Sequence, residues 1–124
     1  MLEPVRTVAI VEDDDLVRSA TVSLIRSLGL DVVSFRSAPE FLDAPIRALG
    51  CIVSDLHMPG MSGLELYDAL RASGSTVPFI LMTAYATDQI RERARESGIL
   101  CLLEKPGTPE MLVRCMAEVV GPLP

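Results

Sequence analysis

The sequence predicts an α/β fold: a doubly wound, five-stranded parallel sheet with strand order 2-1-3-4-5. Three observations predict it. Short apolar runs alternate five times with stretches of helical character. The runs are too uniformly apolar for strands with one wet face, so helices must cover both sides of a parallel sheet. Acids and turn formers cluster directly after these runs, at the edge where open sheets of this kind bind ligands. Right-handed crossovers produce the double winding, and 2-1-3-4-5 is the natural order for five strands.

The first run is Thr7–Val11, and it ends in Glu12, Asp13, Asp14 and Asp15. Leu16, Ala20, Leu24 and Leu28 recur every four residues and predict a helix with Gly29 as its stop. Asp31–Phe35 is the second strand. Ser37 and Glu40 suggest a capping box for a helix through about Leu49, with Pro39 acceptable in its first turn. Cys51–Val53 leads the third strand to a single acid, Asp55, followed by the turn formers Pro59, Gly60, Ser62 and Gly63. A helix from about Gly63 to Ala72 has Leu64, Tyr67 and Leu70 on one face. Val77–Thr83 is strand four, with Pro78 at its start, and Thr87–Ser97 is the next helix, ended by Gly98. Ile99–Glu104 is strand five. Lys105, Pro106 and Gly107 break it, and Thr108 caps a last helix through about Val120.

The 124 residues fit one domain, with 121–124 either an end or the start of a linker. With 49% of residues apolar but few aromatics, Val, Leu, Ile, Ala and Met must fill the core. A net charge of −6 argues against direct nucleic-acid binding, which needs a basic footprint. No apolar run approaches the roughly 20 residues of a membrane span, and no secretory signal is visible. Cys51, Cys101 and Cys115 lack metal-ligand spacing and read as buried, reduced thiols of a cytoplasmic protein.

The predicted topology brings Glu12 and Asp13 beside Asp55. Two such charges roughly 4 Å apart repel by about 4 kcal/mol at an effective dielectric near 20. A proton or a lysine could offset this, but Mg²⁺ held by hard oxygen ligands is the most economical answer. Asp14 and Asp15 are assigned instead to helix capping and dipole complementarity. Thr83 ends strand four and Lys105 follows strand five, at the same edge. A hydroxyl and an ammonium beside a metal and an acid make a phosphoryl site, with Asp55 as the nucleophile.

The pieces I-V-E-D-D, V-S-D-L-H-M-P-G-M-S-G, L-M-T-A and E-K-P, with their spacing, resemble the receiver domain of two-component response regulators over nearly the whole chain. D-L-H-M-P-G-M-S-G-L-E-L most resembles receivers of the FixJ type, and the fold implied is flavodoxin-like or CheY-like. The resemblance implies that Asp55 takes phosphate from a sensor histidine kinase or phosphotransfer protein. Glu12, Asp13, Asp55 and the backbone carbonyl of His57 would hold Mg²⁺. Thr83 would move to the phosphate, Lys105 would bond it, and the peptide bond from Lys105 to Pro106 is often cis in the family. Phosphorylation would switch the surface of helix four, strand five and helix five, which controls a partner, a homodimer or an output domain absent from this chain. The helix Thr87–Ser97 has only Ile90 and Ala94 as a clear apolar stripe, so it and Ala84–Ala86 are expected to shift.

His57, the sole histidine, reads as a solvent-facing side chain flanking the site. With Tyr85, it occupies a position that in the family tunes phosphate loss. One departure stands out: the family usually has Tyr or Phe three residues before its lysine, where this chain has Leu102. Two rivals remain, an Asp-nucleophile phosphohydrolase and a pseudo-receiver that acts by binding alone. The hydrolase needs a second acid as general acid, for which the third-strand segment offers only His57. The intact Asp55, Thr83 and Lys105 weigh against the pseudo-receiver.

Overall fold

The computed structural model describes residues 7–44, 48–99, 101–105 and 108–120. The elements run β1 (Thr7–Val11), α1 (Asp15–Ser27), β2 (Asp31–Phe35), α2 (Ala38–Asp43), β3 (Cys51–Asp55), α3 (Gly63–Ala72), β4 (Phe79–Thr83), α4 (Asp88–Ser97), β5 (Cys101–Glu104) and α5 (Pro109–Val120). All strand pairs are parallel, in the order β2-β1-β3-β4-β5. The predicted fold class and strand order are therefore observed. The central strands β3 and β4 are buried at every residue, as a sheet covered on both faces requires.

Two apolar layers sandwich the sheet. Ala9, Val11, Ile52, Phe79 and Leu81 face one way, against Phe41 of α2, Leu66 and Tyr67 of α3 and Ala94 of α4. Val8, Ile10, Val53, Ile80 and Met82 face the other way, against Ile25 of α1 and Leu112 and Met116 of α5. Alternation along each strand divides its side chains between the layers. The two aromatic contacts, Phe35 with Phe41 and Tyr67 with Phe79, are edge-to-face and lie in the first layer. Among the described residues no helix is long and apolar enough to cross a membrane.

Several local expectations are corrected. The four-residue stripe on α1 is only half right: Leu16 is 83% exposed and Ala20 is exposed, whereas Thr21 and Ile25 are buried. A step of four residues overshoots a 3.6-residue turn by about 40°, so the stripe starts on the solvent side at Leu16 and turns onto the core only at the half-buried Leu24 and Leu28. On α3 the core face includes Leu66, which is fully buried and which the Leu64–Tyr67–Leu70 face omitted.

Helix α2 stops at Asp43 rather than near Leu49. Ala44 precedes a proline and is extended (ψ 139), as steric conflict with the proline ring demands. Ser37 caps α2 by accepting from the Glu40 amide at 3.2 Å, one half of the expected box. The complete reciprocal box lies at α3, between Ser62 and Glu65, at 2.9 and 3.1 Å.

Strand β4 begins at Phe79 rather than Val77, because Pro78 has no N–H to pair; its carbonyl still accepts from the Ile52 amide at 2.9 Å. The described part of β5 begins at Cys101 rather than Ile99. The Ile99 amide is instead spent on the Ala94 carbonyl at 3.0 Å, closing α4 around the left-handed Gly98. Thr108 caps α5 through the Met111 amide at 3.3 Å, as expected. The Lys105–Pro106 peptide lies outside the described residues. Cys51 and Cys101 are buried free thiols, and burial, the largest cause, pushes both up to about 12. Cys115 departs from the expectation in being only half-buried.

Candidate functional site

The site forms where β1 and β3 end side by side. Their register pairs Val11 with Ser54, so Glu12 and Asp55 leave adjacent strands at nearly the same level. The Glu12 amide donates to the Phe35 carbonyl at 3.0 Å, which extends the sheet's bonding one residue past β1. Asp14 then caps α1, accepting from the Leu16 and Val17 amides at 2.9 and 3.0 Å. Asp15 lies in the first turn and pairs with Arg18. This pairing holds the Asp15 carboxyl below the usual carboxylate range. The division of the four acids is thus two for the pocket and two for the helix start.

Glu12, Asp13 and Asp55 each offer a carboxylate oxygen, and these lie within 4.8 Å of one another. Glu12 is fully buried, Asp55 nearly so, and Asp13 faces solvent. Lys105 enters from the end of β5. Its Nζ lies 2.6 Å from Glu12 Oε1 and 3.3 Å from Asp55 Oδ1. Burial raises the Glu12 pKa and Asp55 adds to this, against the opposing bonds from Lys105 and the Asp14 amide. Burial alone would lower Lys105, but its bond to Glu12 and the charges of Asp55 and Glu12 outweigh it and raise its pKa.

Three carboxylates against one ammonium leave a formal excess of two negative charges. The donor set is all oxygen, two of the three residues are buried, and one is open to water. These properties suit a small hard divalent cation that keeps several waters.

Gly63 shapes the other side of the site. It is the first residue of α3, and its amide donates to the Leu56 carbonyl at 2.9 Å. A Cβ there would sit 2.3 Å from the Asp55 carbonyl oxygen and 2.8 Å from Leu81 Cδ1. Only glycine lets α3 start this close to the end of β3. By sequence Gly63 is a turn former, but the need for glycine comes from this approach.

Thr83 is fully buried at the end of β4. Its hydroxyl accepts from the Tyr85 amide at 3.2 Å and donates to the Tyr85 carbonyl at 3.4 Å. Thr83 is thus at the predicted edge, with its hydroxyl tied to its own loop. The Lys105 amide donates to the Thr83 carbonyl at 2.7 Å, joining the two strand ends. The His57 side chain is exposed, in keeping with the solvent-facing reading, and Tyr85 is 74% exposed.

Two contributors were missed in the sequence. Arg18 donates to the Glu12 carbonyl at 3.0 Å and fixes the backbone under the acids. Only its three-residue spacing from Asp15 could have hinted at a local pair. Glu104 accepts from the Ala86 amide at 3.4 Å and lies 3.6 Å from Arg91, and no spacing signals that contact.

A family model for the response regulator receiver domain matches residues 8–117. The chain belongs to the response regulator receiver domain family. Among curated relatives of this receiver, the transcriptional regulatory protein TdiR of Thauera aromatica is 41% identical over 101 residues, covering 81% of this chain and 44% of the relative. The transcriptional regulatory protein FixJ of Azorhizobium caulinodans is 37% identical over 115 residues, covering 92% and 54%. The receiver therefore spans about half the length of the curated relatives it matches. The crystal structure of FixJ-N superposes with a TM-score of 0.84 at 30% identity, covering 97% of this chain and 95% of that one. The response regulator StyR gives 0.85 at 35% identity, covering 92% and 58%. These likenesses support a receiver of the FixJ type.

Proposed function

We propose that this receiver is a phosphorylation-controlled switch in which Asp55 is the phosphoacceptor. The observation that carries this reading is the ammonium of Lys105 3.3 Å from Asp55 Oδ1 inside a cluster of three carboxylates. An Asp55 oxygen attacks phosphorus, the bond from phosphorus to the donor histidine nitrogen of a sensor kinase or phosphotransfer protein breaks, and an acyl phosphate forms. Glu12, Asp13, Asp55 and the His57 backbone carbonyl would hold Mg²⁺, which supplies charge neutralisation to the phosphoryl oxygens. Lys105 swings from Glu12 to a phosphoryl oxygen. Thr83 exchanges its bond to Tyr85 for one to the phosphoryl group.

The phosphoryl group, carrying about −1.5 to −2 in place of the single carboxylate charge, is what draws these donors inward. Movement of Thr83 pulls Ala84–Ala86 and α4, which alters the surface formed by α4, β5 and α5. That surface would control a partner, a homodimer or an output domain, the last suggested by relatives about twice this length. The pathway would be cytoplasmic and bacterial, as in the relatives. The receiver would catalyse only its own phosphorylation and dephosphorylation. A phosphohydrolase is less well supported, because His57, its only candidate general acid on this segment, is exposed.

Acetyl phosphate with Mg²⁺ is the test. Intact mass spectrometry should show one added phosphoryl group in wild type and none in Asp55→Asn. Equal labelling of the variant would reject the assignment.

A further inference from the structure

Helix α4 is held unequally at its two ends. Near its C-terminus, Tyr67 of α3 donates to the Ser97 carbonyl at 2.6 Å. Ala94 and Ile99 are buried in the same layer as Tyr67, and Arg93 pairs with Asp68 of α3 at 3.1 Å. At its N-terminal end Ile90 is only half-buried, and Thr87, Asp88, Gln89 and Arg91 are exposed. Apolar packing therefore fixes one end, and something else must hold the other.

Glu104 is placed to do so. It is the last residue of β5, in register with Thr83 of β4. One carboxylate oxygen accepts from the Ala86 amide at 3.4 Å and the other lies 3.6 Å from Arg91 Nη2. Glu104 thus grips both the β4–α4 loop and the first turn of α4. Among the described residues these are the side-chain polar links from β5 to the segment 84–97. Leu102 shares a strand face with Glu104 but has no polar atom to add. The next residue along the chain, Lys105, contacts Asp55 and Glu12.

We infer that Glu104 is a positioning residue for the switch: a catch that holds the N-terminal end of α4 and the loop Ala84–Ala86 in the resting arrangement, while the C-terminal end serves as the pivot. Its release is coupled to the site because Thr83 bonds Tyr85, the neighbour of Ala86. An inward movement of Thr83 pulls the loop away from the Glu104 carboxylate. Both partners of the ion pair are about half exposed, so the catch is weak. Exposed pairs of this kind shift an equilibrium by roughly 1.5- to 5-fold. A catch of that strength sets the resting balance without preventing the switch.

The inference rests on the phosphoacceptor reading for its link to signalling, but the catch itself is testable without it. Hydrogen exchange of the unphosphorylated protein is the first arm. Glu104→Ala should speed exchange of the amides from Ala86 to Arg91 by about 2- to 5-fold and leave Ala94–Ile99 unchanged. Arg91→Gln, which leaves the residue beside Lys105 unaltered, should act in the same direction with a smaller effect. The double variant should exceed Glu104→Ala by little, since both remove one contact. The second arm is beryllofluoride titration with Mg²⁺. Releasing a resting-state catch should tighten beryllofluoride binding by the same factor, an outcome that mere structural damage would reverse. Unchanged exchange at 86–91 in both single variants, or looser beryllofluoride binding in both, overturns the catch. Failure of wild type to bind beryllofluoride would instead count against the phosphoacceptor reading, with the exchange arm still deciding the catch.

Discussion

Helices α3 and α4 have ten residues each and pack on the same layer of the core, yet they are anchored very differently. Helix α3 buries Gly63, Leu66 and Tyr67 and begins with a complete capping box. Helix α4 buries Ala94 alone and carries Arg91, Glu92, Arg93, Arg95 and Glu96 on exposed positions. Its ion pairs, to Glu104, Asp68 and within the helix to Glu92, are all surface contacts worth little each. The difference teaches where a switch can be built. The helix that starts against the Asp55 carbonyl is firmly held, and the helix downstream of Thr83 is the more weakly anchored of the two.

Matched truncations should expose that asymmetry most strongly. Leu66→Ala empties a fully buried site and should cost about 2–5 kcal/mol in urea unfolding. Ile90→Ala, on half-buried α4, should cost less than about 1.5 kcal/mol. Equal losses would erase the distinction between the helices.

Gly63→Ala should cost about 1–3 kcal/mol, because its methyl group meets the Asp55 backbone carbonyl, which cannot give way as the Leu81 side chain can. The same unfolding measurement reads it. A neutral result would mean that α3 can slide away from Asp55 and is not the fixed partner.

The candidate metal site should give a smaller effect. If Mg²⁺ binds only the native state, a concentration ten times Kd should add about 1.4 kcal/mol to stability. Asp13→Ala should remove most of that increment, read as the loss of the Mg²⁺-dependent rise in Tm. An undiminished rise would exclude Asp13 as a ligand. The Mg²⁺-free variant should be at least as stable as Mg²⁺-free wild type, because one of three clustered carboxylates is gone.

The thiols compare core and edge without any substitution. Cys51 lies in β3 and Cys101 in β5, and burial pushes both thiols up to about 12, so neither forms much thiolate near neutral pH. A thiol reagent should modify half-buried Cys115 first. Cys101, on the edge strand, should follow through local opening, and Cys51 only with global unfolding. Loss of Cys51 before Cys101 would contradict the ranking of the two regions.

By itself the sequence determined the alternation of strands and helices, the strand order and the edge at which the acids gather. The alternation follows from local physics, because apolar runs, caps such as Thr87 and Thr108, and stops such as Gly29 and Gly98 act within a few residues. The order and the edge follow from the general rules for crossovers and open sheets. It also separated the pocket acids Glu12 and Asp13 from the capping acids, because a helix start needs its acceptor at a fixed place. Only the tertiary structure decided that Lys105 reaches across 93 residues of sequence to bond Glu12 as well as Asp55. It alone placed Glu104 on the loop before α4, turned Leu16 outward and set Gly63 against the Asp55 carbonyl. Periodicity says that a helix has an apolar face. How that face is rotated, and which side chains from distant strands meet beyond the sheet's edge, depends on packing among elements that no local pattern encodes.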